Sequence, residues 1–292
     1  MSRPPAPAPI ELSTLKDQAI GIIGLGQIGG SIVRRLMTYR PEITAYGMDR
    51  NTRIAGRVRR YCRWSTTLED MVRAVDIIVL AVPVPAILDY LPRIADAVED
   101  TGSERLLVID TGTLKYPVQK AAAKYTDQYD YVGIHPLCGI ERNGWDSARS
   151  DLFADETVIC CGQPRANATR TAVELIRSLG AHELIMDAKD HDRQVALTIG
   201  LPHVLAYVAN GAAQNVKPDP PLVSSSWQSL VRVTASDPEM VAGFLTYNKT
   251  EQQRILSEFR RQLDRLEQLL AQADNESVAD TLARWQSPHP RK

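Results

Sequence analysis

The 292-residue chain has little that would tie it to an oxidising compartment or to a metal. It has only four cysteines, none of which forms a C-x-x-C pair, and two of them are adjacent. Adjacent cysteines are poorly placed to form a disulfide or to bind a metal ion. We therefore expect reduced thiols, a cytoplasmic location and no bound metal. The cysteines are Cys62, Cys138, Cys160 and Cys161.

The chain also lacks an excess of charge and a long apolar run. Its formal net charge is −1, which indicates neither nucleic acid nor a membrane surface as a partner. No apolar run approaches the length of a membrane span. Residues 1–17 are rich in proline and lack an apolar core, so we expect a flexible tail there rather than a signal peptide. A second tail is expected over residues 287–292.

What the chain does have is a series of short apolar runs separated by segments of helix length. Buried strands that alternate with helices are typical of a parallel sheet covered on both faces. The pattern predicts the α/β class, with an N-terminal Rossmann-type doubly wound sheet in a domain over residues 18–187. The strands are predicted at residues 19–23, 43–48, 76–82, 106–110, 131–134, 157–161 and 183–186.

The strand signals stop near residue 190, and helical patterns make up the rest of the chain. Residues 191–215 predict one helix, which Pro202 should kink. Residues 236–239 combine a capping side chain with proline and glutamate, the chemistry of a helix start. The long amphipathic stripe that follows needs a partner, so we predict an all-α dimerisation domain over residues 188–286 and a homodimer formed through its helices. The stripe consists of Phe244, Ile255, Phe259, Leu263, Leu266 and Leu270.

A glycine-rich turn, GLGQIGG over residues 24–30, follows the first predicted strand and opens a helix. Gly24 permits a tight turn, Gly26 lets the backbone approach a pyrophosphate, and Gly29 lets the helix pack closely on the strand. The free N–H groups of the helix N-terminus favour a phosphate at this point. The turn therefore predicts a dinucleotide site, which also includes the two residues between the last two of these glycines. Those two residues are Gln27 and Ile28.

Asp49 stands at the end of the second predicted strand, twenty residues after Gly29, where an acid can bind the hydroxyls of the adenosine ribose. A carboxylate repels a 2′-phosphate, which favours NAD as the cofactor. Arg50 and Arg53 follow directly and could instead favour NADP. They belong to a basic segment over residues 50–63, whose simpler interpretation is a solvated face. We therefore expect NAD, with Arg50 among the cofactor-binding residues and NADP as the alternative.

Ligands of open α/β sheets bind beyond the carboxyl ends of the strands, and three predicted strands end in informative residues. The third ends in Val82 and Pro83, a turn able to line the nicotinamide. The fourth is followed by the hydroxyls of Thr111 and Thr113, and the fifth by His135 in a predicted loop. Because the unperturbed pKa of histidine is near neutrality, we predict that His135 acts as a general base or acid beside a threonine hydroxyl.

Two more histidines and an arginine are candidates in the helical region. His191 and His203 are twelve residues apart on one predicted helix, roughly on the same side. The run His191-Asp192-Arg193 could instead be a satisfied cluster on the surface. Arg232 lies among apolar neighbours and, if buried, needs an anionic partner. That partner could be a structural carboxylate or the carboxylate of a substrate.

Five segments stand out along the chain: GLGQIGGS, DTGTLK, GIHPLCGIERNGWDSARSDLF, DHDRQ followed by LPH, and SLVRVTASDP. In this order they resemble the prephenate/arogenate dehydrogenase family of tyrosine biosynthesis. The resemblance extends from about residue 18 to residue 270, and its most specific part is the H-P-x-x-G-x-E-x-x-G segment. It implies a nucleotide-binding domain joined to a helical dimerisation domain, the same architecture that the pattern predicts.

The resemblance also implies a reaction and roles for the candidate residues. The family removes hydride from the carbinol carbon of a cyclohexadienol, releases carbon dioxide and leaves an aromatic ring. By resemblance, His135 accepts the hydroxyl proton, and Thr113, where the family usually has serine, orients that hydroxyl. Arg232 and His203 bind the carboxylates of the substrate, and His191 lines the pocket.

Glu141 and the segment before His203 bear on what the pocket accepts. Glu141 matches a family glutamate near the entrance of the site, where a gating role is expected. The family commonly reads S-H-L-P-H where this chain has IGLPH over residues 199–203, so a hydroxyl and an imidazole are missing from the pocket wall. This departure leaves the substrate open. Prephenate is the first expectation, and arogenate and 4-amino-4-deoxyprephenate are the alternatives.

Two other functions are compatible with this scaffold. A β-hydroxyacid dehydrogenase or an imine reductase typically uses a lysine on a later helix, but neither Lys189 nor Lys217 has the surrounding sequence of those families. A non-catalytic NAD-binding sensor should have lost the base or the arginine, whereas His135 and Arg232 are both present. An NAD(P)-dependent dehydrogenase is therefore the prediction, with a small molecule as substrate.

Overall fold

The computed structural model of the chain describes residues 15, 18–103, 106–139, 144–162, 166–216, 219–272 and 274–286. Its strands are β1 (Ala19–Ile23), β2 (Thr44–Met48), β3 (Arg63–Trp64), β4 (Ile77–Leu80), β5 (Leu106–Asp110), β6 (Tyr129–Pro136), β7 (Thr157–Cys161) and β8 (His182–Ile185). They form a single sheet in the order β3-β2-β1-β4-β5-β6-β7-β8. The first six strands thus have the order of a Rossmann fold, and the predicted fold class is confirmed.

The direction of the strands differs from the prediction at one pair. Neighbouring strands run parallel, except that β6 and β7 are antiparallel. A parallel return needs a crossover, usually a helix, between the two strands. The described part of the β6–β7 connection contains only a 3-10 turn, Trp145–Ser147, so the chain returns antiparallel.

Helices cover both faces of this sheet and are the main elements of the described chain after β8. They are α1 (Gln27–Tyr39), α2 (Ala55–Val58), α3 (Leu68–Ala74), α4 (Val84–Thr101), α5 (Tyr116–Ala122), α6 (Asn167–Ser178), α7 (Ala188–Val195), α8 (Leu201–Val216), α9 (Ser225–Val231), α10 (Pro238–Tyr247), α11 (Lys249–Ala271) and α12 (Asn275–Trp285). Apolar residues of α1 and α6 pack on one face of the sheet, and those of α3, α4 and α5 pack on the other. β4 and β5 are buried along their whole length, as a sheet covered on both faces requires.

The helical half of the chain packs against the second of these faces. Val195 of α7 and both Val241 and Phe244 of α10 belong to the same buried apolar cluster as Ile87 of α4. Since α4 begins directly after β4, this contact holds the helices next to the carboxyl ends of the strands. That edge is where an open α/β sheet binds its ligand.

The single helix predicted over residues 191–215 is two helices joined by a π-turn. α7 ends at Val195, and the π-turn covers Ala196–Gly200, where the N–H of Leu201 donates to a carbonyl five residues back. Pro202 follows directly and has no N–H to donate to the preceding turn. The predicted irregularity at Pro202 therefore takes the form of a wider turn.

The N-cap residue of α11 and one residue of its first turn bind this stretch with their side chains. Asn248 Nδ2 donates to the carbonyl of Asp192 at 2.8 Å, and Gln252 Nε2 donates to the carbonyl of Ala196 at 3.1 Å. Both amides are buried, and they lie four residues apart at the start of α11, just as the two carbonyls lie four residues apart at the end of α7 and the start of the π-turn. They therefore bind one face of α7 and the π-turn as a pair.

The continuous helical stretch Ala188–Val216 is the one described helix that is long and apolar enough, by length and composition, to cross a membrane. A window within this helix has a high enough mean hydropathy even though polar residues interrupt it. The expectation that no apolar run approaches the length of a membrane span is to that extent wrong. Only 22% of that window is buried within the single chain. A helix that a second protein surface covers has this same composition.

Candidate active site

The glycine-rich turn between β1 and α1 has the shape that a dinucleotide requires. Gly24 has a φ of 91°, in the region that favours glycine. A Cβ on Gly29 would lie 2.0 Å from the carbonyl oxygen of Gly24, so this position closes the turn onto the helix. A Cβ on Gly26 would meet nothing within 4 Å, so that side of the turn is open to a ligand. The backbone of Gln27 and Ile28 starts α1 here, with its N–H groups at the helix N-terminus.

Asp49 follows β2 and is tied to this turn. Its carboxylate accepts a hydrogen bond from the N–H of Leu25 at 2.7 Å and another from the N–H of Asn51 at 2.7 Å. A carboxylate has about four lone-pair sites, so capacity remains for the hydroxyls of a ribose. Arg50 and Arg53 are both exposed beside it. The residues present therefore fit an adenosine dinucleotide.

The loops after β4 and β5 complete this edge of the sheet. The Cγ1 of Val82 lies 2.6 Å from the position that a Cβ on Gly24 would occupy, so Val82 packs on the glycine-rich turn, and Pro83 then caps α4. Thr111 donates its N–H to the carbonyl of Leu80 at 3.0 Å. The predicted cofactor-binding residues of three strands thus lie along one edge.

His135 lies within β6 and not in a loop. It pairs with Ile159 of β7, and only 7% of its surface is exposed. The loop prediction is wrong because β6 continues through His135 and Pro136, which the antiparallel β7 holds in the sheet. Its ring still stands at the carboxyl end of the strand. There its Nδ1 lies 2.9 Å from Nε2 of His191.

His191 is fully buried and bridges His135 to a carboxylate that the sequence did not single out. Its Nδ1 lies 2.7 Å from Oδ1 of Asp192. The other contacts of that carboxylate are with the backbone at the start of α5: the N–H of Lys115 donates to Oδ1 at 2.9 Å, and the N–H of Tyr116 donates to Oδ2 at 3.0 Å. The interpretation of His191 and Asp192 as a surface cluster is therefore wrong, since both side chains are buried.

A buried ion pair lies next to His135 in the chain fold, in contact with the residue before it. Lys115 Nζ donates to the carbonyl of Ile134 at 2.6 Å and to Oδ1 of Asp110 at 2.5 Å, and neither charged side chain has any exposed surface. The hydroxyl of Tyr131 donates to the other oxygen of Asp110 at 2.5 Å. Burial, and next the charge of Asp110, raises the pKa of Tyr131 well above its ordinary value, so this hydroxyl stays protonated.

These surroundings keep the imidazole of His135 neutral. Burial lowers the pKa of His135 well below its ordinary value of 6.5, and His191 and Lys115 lower it further. A neutral imidazole at the carboxyl end of a strand can accept a proton from a bound hydroxyl at neutral pH. The cysteines offer no such group, because burial raises the pKa of Cys62 to about 11 and that of Cys138, Cys160 and Cys161 to about 12.

The other candidate residues lie at the helical side of this edge. His203 on α8 contacts the carbonyl of Ile199 through Nδ1 at 2.9 Å, and its Nε2 lies 3.5 Å from the hydroxyl of Ser236. Since a carbonyl only accepts, Nδ1 carries a proton and donates it to Ile199, which leaves Nε2 as the nitrogen on the side of Ser236. Arg232 begins the 3-10 turn Arg232–Ala235 and is exposed in the single chain.

Two further residues complete the predicted set. Thr113 is half-buried in the loop between β5 and α5, two residues before Lys115. Glu141 lies outside the residues that the structure describes. Among the described residues there is no group of three or more His, Cys, Asp or Glu side chains that could hold a metal ion.

A glycine-rich turn that fits a dinucleotide and a neutral, buried histidine at the same edge of the sheet define an NAD(P)-dependent dehydrogenase. Family models make the class specific. Residues 32–184 match the nucleotide-binding domain of prephenate dehydrogenase, and residues 187–284 match its dimerization domain. The chain belongs to the prephenate dehydrogenase family.

Individual relatives agree with this assignment. The chain is 30% identical over 273 residues to cyclohexadienyl dehydrogenase of Zymomonas mobilis, which covers 89% of this chain and 91% of the relative. It is 26% identical over 264 residues to prephenate dehydrogenase of Lactococcus lactis, with 88% and 72% covered. A solved prephenate dehydrogenase of A. aeolicus, in complex with hydroxyphenyl propionate and NAD+, has the same fold, with a TM-score of 0.81, 20% identity and 93% and 97% of the two chains covered.

Proposed function

We propose that this chain catalyses the oxidative decarboxylation of prephenate to 4-hydroxyphenylpyruvate, with hydride transfer to NAD, as a homodimer in the cytoplasm. The observation that carries the proposal is His135, a histidine kept neutral by burial at the sheet edge that also holds the glycine-rich turn. The relatives support the substrate class, because their names include cyclohexadienyl and prephenate dehydrogenases. The proposed domains are residues 18–187 for the cofactor and 188–286 for substrate binding and dimerisation.

The nucleotide half supplies the cofactor site and the base. Gly24, Gly26 and Gly29 hold the pyrophosphate of NAD, and Asp49 binds the adenosine ribose. NAD, when bound, supplies the acceptor for the hydride. His135 accepts the proton of the ring hydroxyl while the carbinol carbon loses hydride and becomes a carbonyl carbon.

Loss of the ring carboxylate as carbon dioxide then completes the reaction. The electron pair of the broken carbon–carbon bond enters the ring, the carbonyl oxygen takes up a proton, and a phenol results. The proton that His135 has accepted is the proton that the phenol oxygen needs, so His135 serves as base and then as acid. Thr113, three residues beyond the end of β5, orients the hydroxyl from the neighbouring strand.

The helical half binds the rest of the substrate. Arg232 and His203 bind its carboxylates, since a guanidinium matches a carboxylate with two parallel hydrogen bonds. Glu141 is proposed to gate the entrance. His191, which we expected to line the pocket, contacts His135 and Asp192 instead.

One observation keeps arogenate and 4-amino-4-deoxyprephenate as alternative substrates. A Cβ on Gly200 would lie 1.7 Å from Nε2 of Gln252, so the buried Gln252 fills the space beside a position where the family has a histidine. The pocket wall therefore differs from the family pattern near His203, and the side-chain end of the substrate is the part that this change affects.

Initial rates of NADH or NADPH formation test the proposal, with prephenate and arogenate each combined with NAD and NADP. We expect prephenate with NAD to be fastest. The His135→Asn variant should lose about 10²–10⁴-fold in kcat, the usual contribution of a general base, while calorimetry shows unchanged NAD binding. Equal rates for the variant and the wild type would contradict the role of His135. If neither substrate gives NADH or NADPH while NAD still binds, 4-amino-4-deoxyprephenate as the substrate, or a non-catalytic NAD-binding sensor, would be favoured instead.

A further inference from the structure

The role of His135 as a base depends on which of its two ring nitrogens carries the proton, and the structure contains a device that decides this. Behind His135 stands His191, and behind His191 stands Asp192, at 2.9 Å and 2.7 Å. All three side chains are at least nine-tenths buried, so bulk water does not compete for these contacts. The inference rests on the proposed function, because it concerns the proton that the reaction removes.

Hydrogen-bond capacity fixes the proton on each ring, starting from the carboxylate. An ionised carboxylate only accepts, and Asp192 already accepts from the N–H of Lys115 and the N–H of Tyr116. Nδ1 of His191 must therefore carry a proton and donate it to Asp192. A neutral His191 then has its lone pair on Nε2, which faces Nδ1 of His135.

The same reasoning applies to His135. Because Nε2 of His191 accepts, Nδ1 of His135 must donate, and its own proton is thereby committed to that contact. The remaining nitrogen, Nε2 of His135, has the free lone pair. This is the form that can take a proton from a bound hydroxyl. The opposite tautomer would present an N–H to the substrate and could not act as its base.

We infer that Asp192 is a positioning residue that acts through His191 to keep Nε2 of His135 unprotonated and directed at the substrate hydroxyl. In the hydride-transfer step one proton moves, from the hydroxyl to Nε2 of His135. The imidazolium that forms keeps its Nδ1–H bond to His191, whose far nitrogen faces the anionic Asp192. The positive charge is thus stabilised without a second proton transfer.

Asp192 also has a structural role, and the test must separate the two. Its carboxylate caps the start of α5, and its carbonyl accepts from Asn248. Asn248→Ala removes that second anchor without altering the carboxylate. It is therefore the matched control: it should lower the melting temperature but leave the tautomer of His135 unchanged.

The decisive measurement is nitrogen NMR of the imidazoles in ¹⁵N-histidine-labelled full-length protein at neutral pH. We expect Nδ1 protonated and Nε2 unprotonated for His135 in the wild type and in Asn248→Ala. In Asp192→Asn the two tautomers of His135 should become mixed. A wild-type His135 with its proton on Nε2, or a His191 protonated on both nitrogens, would overturn the inference. This readout needs no substrate, so it is independent of whether the proposed function holds.

Steady-state kinetics of variants provide a second test of the positioning role. Asp192→Asn should lower kcat at least about 10²-fold with KM within a few-fold and NAD binding unchanged. His191→Leu should show the same loss, and His191→Gln, whose amide oxygen can accept from Nδ1 of His135, should recover part of it. If His191→Leu and His191→Gln are equally impaired, or if Asp192→Asn keeps its kcat, the positioning role is wrong.

Discussion

The two halves of the chain differ in how much of their apolar surface is buried within the single chain. The nucleotide half buries its apolar strands between helices, and its charged groups at the sheet edge find partners within the same chain. The helical half leaves large apolar side chains on its surface, with 64% of Val208, 78% of Val216 and 60% of Leu270 exposed. A surface of this kind in a soluble chain marks an interaction site. The helical half, which matches a dimerization domain, therefore carries most of the large exposed apolar side chains of the described residues.

The two halves also differ in the burial of their candidate residues: the proposed base is buried, and the proposed substrate-binding residues are more exposed. His135 and His191 are held in a buried network, which a base with a defined proton position requires. Arg232 and His203 lie on helices and turns with exposed or half-buried surfaces. His135 is thus positioned both by β6 and by His191 of α7, and the two residues proposed to bind the substrate belong to the more open half.

The largest effect is expected from a charge in the apolar surface of the helical half. Val208→Asp would place a carboxylate in the proposed dimer interface twice, once from each copy, and a buried unpaired charge costs several kcal/mol. The dimer should weaken at least about 10³-fold, as measured by sedimentation. Tyr39→Asp is the matched control, because Tyr39 is an apolar residue of the nucleotide half that is 57% exposed. Equal dimer strength in both variants would place the interface elsewhere.

The next effect concerns the glycine-rich turn. In Gly29→Ala the new Cβ would lie 2.0 Å from the carbonyl oxygen of Gly24, so the backbone must move and NAD affinity should fall about 10²-fold or more. The melting temperature should fall as well. Gly26→Ala should weaken NAD binding at an unchanged melting temperature, because its Cβ meets no atom of the chain, and Gly56→Ala should change neither. Unaltered NAD binding in Gly29→Ala would exclude this turn as the cofactor site.

Arg232→Gln is expected to have a smaller effect, on substrate binding. Loss of a charge-assisted contact with a carboxylate costs about 1.5–3 kcal/mol, which corresponds to a KM about 10–150-fold higher. NAD binding and kcat should change little. Arg254→Gln, an exposed arginine of α11 paired with Glu251 at 2.8 Å, is the control and should leave KM unchanged. A rise in KM in both variants would indicate a general charge effect instead.

The smallest effect is on stability in acid. The folded-state pKa of His135 lies below the ordinary value of 6.5. As the pH falls below 6.5, the unfolded chain takes up a proton here that the folded chain does not, so the free energy of unfolding decreases until the folded-state pKa is reached. The melting temperature should therefore fall less steeply with acidification in His135→Asn than in the wild type. His182→Asn, on the surface at β8, should keep the wild-type slope.

Much of the fold follows from local pattern, and the exceptions have identifiable causes. The apolar runs predict seven strands close to their observed positions, because most of these strands are buried, nearly continuous hydrophobic segments; β8 is predicted from its sequence although it is largely exposed in the single chain. β3 is not predicted, since its two residues include an exposed arginine and form no run. The antiparallel direction of β7 is also not predicted, because the direction of a strand depends on the connection that precedes it and not on the strand's own sequence.

The site shows the same division between local and distant information. His135 and the glycines are found because their motifs are contiguous in sequence. Asp192 is missed, because an acid beside a histidine on a polar stretch of helix has the pattern of a surface pair. Lys115 and Asp110 are missed as a buried pair for a similar reason: only the neighbouring strand, with Tyr131 and the carbonyl of Ile134, shows that they are enclosed.

The π-turn between α7 and α8 sets the direction in which His203 points. Twelve residues separate His191 from His203, and in an uninterrupted α-helix this spacing would turn the second side chain about 120° away from the first, so the expectation that both lie on the same side of a single helix is wrong. The turn Ala196–Gly200 takes up one additional residue, worth about 100° of rotation, and so returns His203 to within about 20° of the face that carries His191. The extra residue thus restores the angular alignment of His203 with His191. A one-residue deletion there would leave every helix intact and still rotate His203, a proposed substrate-binding residue, away from the face that carries His191.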